Sequence, residues 1–144
     1  MATYILDNKP VQVLSKPWWI GWIFAEGSAV TINGTVFIND LGKMCVLNHE
    51  FTHVRQQRAY PSGMNAWLLK YLSNKSFRVS QELEAYVVQC HEIGILYGQK
   101  STEYLTFLQE VPLIVGVKAD QVNSMMNDLW KKYPNNYIVE YKLS

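Results

Sequence analysis

The dipeptide Asn33-Gly34 lies between two runs of strand-forming residues, Val30-Thr31-Ile32 and Thr35-Val36-Phe37-Ile38. An Asn-Gly pair supplies the two residues of positive φ that a type I′ turn demands, so this segment is predicted to be a β-hairpin. Asn39-Asp40-Leu41-Gly42 closes it, and a helical pattern follows from about Lys43 to Arg58, broken by Pro61-Ser62-Gly63. Any fold for this chain must therefore place a helix of about four turns directly after a hairpin.

Short strand-like runs also open the chain. Thr3 to Leu6, a turn at Asp7-Asn8-Lys9-Pro10 and Val11 to Leu14 make a second hairpin plausible. A shorter helix is expected over Met64 to Leu72, with a loop at Ser73-Asn74-Lys75-Ser76. Ser80 then has the character of an N-cap, because Gln81-Glu82-Leu83-Glu84 gives an acidic first turn. That helix is expected to run to about Tyr97, with Leu83, Val87, Cys90, Gly94 and Tyr97 as its core stripe. Two more helices, about Thr102 to Glu110 and Ala119 to Lys132, precede an alternating run, Tyr137 to Leu143, that reads as a strand. Without a repeat or a linker, the 144 residues are expected to form one domain, 1–144. The expected fold class is α+β, a small N-terminal sheet of hairpins packed against the first helix and several C-terminal helices.

Composition removes several functional classes. A formal net charge of +1, with thirteen scattered Lys and Arg, offers no basic surface for nucleic acid. The most membrane-like stretch, Trp18 to Ala25, is far shorter than the roughly twenty residues of a spanning helix, and it lacks a signal-peptide layout. A protein without transmembrane segment or export signal, hence cytoplasmic, is expected. Cys45 and Cys90 stand far apart and form neither a CxxC knuckle nor a disulfide framework, so both are read as buried thiols. Trp18, Trp19 and Trp22 are read as a buried strand or turn, and most of the remaining aromatics, with Met125-Met126, as packing.

The first long helix carries His49-Glu50-Phe51-Thr52-His53. Residues four apart are about 40° apart around a helix and one turn along it, so both imidazoles project from one face as a pair of metal ligands. Glu50 lies about 100° round from His49, off the metal axis yet within reach of a water beside the ion, the position of a general base. Catalytic zinc needs a third protein ligand and an open position. No further histidine follows closely, so a carboxylate from a second helix fits, and the next ones are Glu82 and Glu84. Helical geometry leaves both open. His91 is seven residues beyond Glu84 but nine beyond Glu82, so with Glu82 as ligand it points away from the metal.

The sequence H-E-F-T-H-V-R-Q-Q followed by E-L-E-A resembles the gluzincin-type zinc metallopeptidases, in their small bacterial and phage forms, over about Val30 to Gln89. The resemblance implies a zincin-like fold, Zn2+ held by His49, His53 and Glu82, and Ala85 packed on the helix that bears the histidines. It further implies peptide-bond hydrolysis with Glu50 as general base and zinc acidifying the attacking water. A peptide or protein substrate would lie extended along an edge strand, either Val30 to Ile32 or Thr35 to Ile38. The departure is at Tyr86, where the family often has an Asp that orients a metal-binding histidine. The reading from a different class is a structural or interaction protein that keeps the metal without turnover. Against it, structural zinc usually has four protein ligands, often Cys.

Overall fold

Both hairpins form, and in each the turn has two residues of positive φ: Asp7 (53°) and Asn8 (61°) in the first, Asn33 (46°) and Gly34 (77°) in the second. The computed structural model describes residues 1–20, 29–39, 44–92, 119–133 and 139–144. Strands β1 (Ala2–Leu6) and β2 (Lys9–Ser15) make the first hairpin, and β3 (Ala29–Ile32) and β4 (Thr35–Ile38) the second. The first turn is thus shorter than the four residues expected, and Pro10 belongs to β2. Leu6 and Lys9 close the turn as a hydrogen-bonded pair, so Pro10, opposite Ile5, is a non-hydrogen-bonded position whose missing N–H costs β1 nothing.

Helices α1 (Met44–Ala59), α2 (Met64–Ser73), α3 (Lys75–Glu92) and α4 (Ala119–Lys132) follow, and a short strand β5 (Tyr141–Leu143) ends the chain. The fold is mixed α+β, with a five-stranded sheet in the order β3-β4-β2-β1-β5. β2 and β4 pair in parallel, and every other pairing is antiparallel. β4 is therefore interior, which removes Thr35 to Ile38 as a candidate edge and leaves β3 as an edge strand among the described residues. No described helix is long and apolar enough to cross a membrane.

Alternation along the strands turns Tyr4, Leu6, Val11, Val13, Val36 and Ile38 to one face. Leu47, Phe51 and Val54, at helical spacing on α1, pack against that face together with Val88 of α3. Phe51 is fully buried and meets Tyr4 and Tyr141 edge-on at 5.6 and 4.7 Å between ring centres. The polar second half of α1 binds the turns. The Arg55 guanidinium grips Asp7 through two bonds of 2.7 and 2.8 Å, and Arg58 donates to the carbonyls of Leu6 and Pro10.

Three further expectations need correction. α3 begins at Lys75, five residues before Ser80. The cap is Asn74, whose Oδ1 accepts from Phe77 N–H at 2.9 Å, while Ser80 sits inside the helix and donates back to the Phe77 carbonyl. Arg78 Nη1 donates to the carbonyls of Tyr71 and Leu72, so one arginine of α3 covers the end of α2. Trp18 and Trp19 are exposed, at 77% and 46%. They occupy the centre of a turn in which Ile20 N–H donates to Pro17 O at 3.2 Å, and Ile20 alone is buried there. The final strand is also shorter than Tyr137 to Leu143. Trp22, the helix over Thr102 to Glu110, the positions Gly94 and Tyr97, and the side chains of Cys45, Cys90, His91 and Met126 lie outside the described residues.

Candidate metal centre

The faces of α1 divide its labour. While Leu47, Phe51 and Val54 pack on the sheet, His49 and His53 face α3 and meet Glu82 there. His49 Nε2 lies 3.2 Å from Glu82 Oε2, His53 Nε2 lies 3.1 Å from Glu82 Oε1, and the two Nε2 atoms are 3.2 Å apart. All three side chains are buried. Glu84, the other carboxylate left open by the sequence, faces away: it pairs with Lys132 of α4 at 3.1 Å. Ala85 is fully buried one turn beyond Glu82.

These separations suit a metal. Ligand atoms about 2.0–2.1 Å from a tetrahedral zinc are about 3.3 Å from one another, close to the 3.2 Å between the two Nε2 atoms, and each of these nitrogens has one Glu82 oxygen at 3.1–3.2 Å. The chemistry of the donors fits as well. Gln56 Nε2 donates to the Gln81 carbonyl at 3.0 Å, which fixes the amide so that its Oε1 accepts from His53 Nδ1–H at 2.8 Å. The lone pair of His53 then sits on Nε2 and points at a carboxylate and a second imidazole. Such a set is stable only with a cation or protons at its centre. Without metal, protons take that role. Burial alone lowers the pKa of His53, but the adjacent Glu82 outweighs it and raises the value to about 9. Burial likewise raises Glu82, and the two histidines overcome this to hold it well below the usual carboxylate range.

An aromatic wall surrounds the triad. On α2, Trp67 and Tyr71 stack at 4.9 Å, and Tyr71 Oη donates to Glu82 Oε1 at 2.5 Å. Burial, then the charge of Glu82, pushes the Tyr71 phenol above its ordinary range, so its hydroxyl remains a donor. Trp67 Nε1 donates to Gln81 Oε1 at 2.9 Å. Tyr86 packs edge-on against His49 with ring centres 4.4 Å apart. It supplies no carboxylate, and His49 Nδ1 is a buried nitrogen without a hydrogen-bond partner among the described residues. Among the described residues, His53 is held in the usual way through its other nitrogen, by an amide in place of an acid.

Glu50, on the flank of the triad, is held from the sheet. Thr31 Oγ1 on β3 donates to Glu50 Oε2 at 2.6 Å and lies 3.3 Å from the Glu50 carbonyl. Gln57, two turns further along α1 and 1% exposed, donates to Thr31 O at 3.0 Å and accepts from Gly34 N–H at 2.7 Å. Glu50 follows His49 directly on α1 and is 5% exposed, so it is buried next in the chain to the first of the two histidines.

Of the residues singled out from the sequence, His49, His53 and Glu82 come together, Glu50 stands next to His49 on α1 with its carboxylate on Thr31, and Glu84 pairs with Lys132 instead. Sequence reasoning missed Gln56, Tyr71, Thr31 and Gln57. Gln56 carried a signal, since it stands one turn from His53 on the same helix. The others are set by packing between distant segments. No protein-family model matches the chain, and no curated protein and no solved structure matches it.

Proposed function

We propose that this protein is a zinc-dependent metallopeptidase of gluzincin type with a zincin-like fold, in which His49, His53 and Glu82 hold the metal and Glu50 is the general base. The observation that carries the reading is the convergence of two imidazole nitrogens and a carboxylate, 3.1–3.2 Å apart, beside a second carboxylate not used in the cluster. Zinc held there supplies a Lewis acid that acidifies water to a pKa of about 7 and polarises the scissile carbonyl. Glu50 takes the proton of the attacking water and passes it to the leaving amine. Its Oε2 accepts from the Thr31 hydroxyl, which holds the carboxylate from β3.

The substrate is a peptide or protein segment lying extended along β3. Ile32 and Thr35 close the two-residue turn as a hydrogen-bonded pair, so Ala29 and Thr31 direct their backbone groups to the open edge. One of these, the Thr31 carbonyl, is committed to Gln57, so a bound peptide pairs through the others. The second reading, a metal centre that stabilises the fold without turnover, is favoured by the burial of all four groups, each at most 7% exposed. Zinc analysis combined with hydrolysis of a broad peptide library separates the two. The peptidase binds about one zinc per chain, and Glu50→Gln keeps the metal but loses cleavage; stoichiometric zinc without any cleavage by the unaltered protein supports the structural reading.

A further inference from the structure

We propose that Thr31 is a positioning residue for Glu50, holding the carboxylate of the general base from the edge strand on which the substrate would lie. The inference rests on the metallopeptidase reading. A glutamate on a helix has three free torsions, and a base that must meet one water in one geometry gains from being fixed beforehand. Thr31 Oγ1 provides the fixing bond, at 2.6 Å to Oε2. Thr31 is itself held: its backbone pairs opposite Val36, its carbonyl accepts from Gln57, and its side chain is buried. Gln57 also receives the Gly34 N–H, so the turn, the edge strand and the base form one continuous polar chain anchored on α1. The bond to Oε2 fixes one corner of the carboxylate and so restrains the orientation of the whole group.

A threonine that only satisfied a buried carboxylate would affect folding and nothing else. Thr31→Val keeps the shape and removes the donor, whereas Thr31→Ser keeps the donor. Expected for Thr31→Val is a fall in kcat of about ten- to hundredfold, with KM within about twofold and zinc content unchanged. Thr31→Ser is expected to restore most of kcat. A second readout uses the metal-free protein. In urea unfolding, a double-mutant cycle of Thr31→Val with Glu50→Ala gives a coupling of about tenfold in the unfolding constant, as for a hydrogen bond to a charged group. Unchanged kcat in Thr31→Val with an active parent protein overturns the inference alone, as does additivity in the cycle or failure of Ser to rescue. An inactive parent protein overturns the metallopeptidase reading, and the positioning role with it.

Discussion

Replacing Tyr71 by Phe removes one oxygen atom from the wall of the metal centre. The ring that remains still stacks on Trp67, at 4.9 Å between centres and 19° between planes, so packing is preserved. What is lost is the bond from Tyr71 Oη to Glu82 Oε1. A hydrogen bond to an ionised group contributes about 1.5–3 kcal/mol, and Tyr71 is buried, 7% exposed, so water replaces its hydroxyl poorly. Glu82 is the only carboxylate in the cluster of three, and loosening it weakens the grip on zinc. At about 1.4 kcal/mol per factor of ten, the expected loss is roughly ten- to hundredfold in zinc affinity, the range seen for partners that orient metal ligands. Competition with a chromophoric chelator at fixed pH measures it directly. A dissociation constant within about twofold of the parent's would refute the reasoning, because Tyr71 would then be a packing residue whose hydroxyl does nothing for Glu82.

Gln57→Leu keeps the side-chain volume but strands the Thr31 carbonyl and the Gly34 N–H, so it is expected to cost about 2–3 kcal/mol in urea unfolding at unchanged m-value. A loss under about 0.5 kcal/mol would show that the hairpin is held by other means. The Asp7–Arg55 pair is half-exposed on the Asp7 side, and its contribution is accordingly about 0.2–1 kcal/mol. The hydrogen bond from Arg55 lowers the pKa of Asp7, so this stability is fully present above the unfolded value of about 3.9 and disappears as pH falls through the folded one. Asp7→Asn should therefore destabilise at pH 7 and be neutral near pH 2, and equal effects at both would contradict the assignment.

Local chemistry was legible in the sequence, and long-range pairing was not. Asn33-Gly34 announced its hairpin because few dipeptides accept two positive φ angles, and the four-residue spacing of His49 and His53 fixed their common face. Ser80 misled because its acidic followers mimic a first turn, while Asn74 caps the helix six residues earlier and also ends α2. Helical geometry alone could not separate Glu82 from Glu84, whereas in the structure Glu82 meets the two histidines and Glu84 pairs with Lys132 of α4. The parallel pairing of β2 with β4, which makes β3 the edge, joins segments more than twenty residues apart and leaves no local trace. The same holds for Thr31 and Tyr71, ordinary strand and helix residues until α1 brings Glu50 to one and α3 brings Glu82 to the other.

The most direct test of the proposed centre is the metal content of protein purified without chelator, by mass spectrometry of the element, for the parent and for His49→Ala, Glu82→Ala and Glu50→Gln. About one zinc per chain is predicted in the parent and in Glu50→Gln, and well below that in the other two. No zinc in the folded parent, or full zinc in His49→Ala and Glu82→Ala, would contradict it.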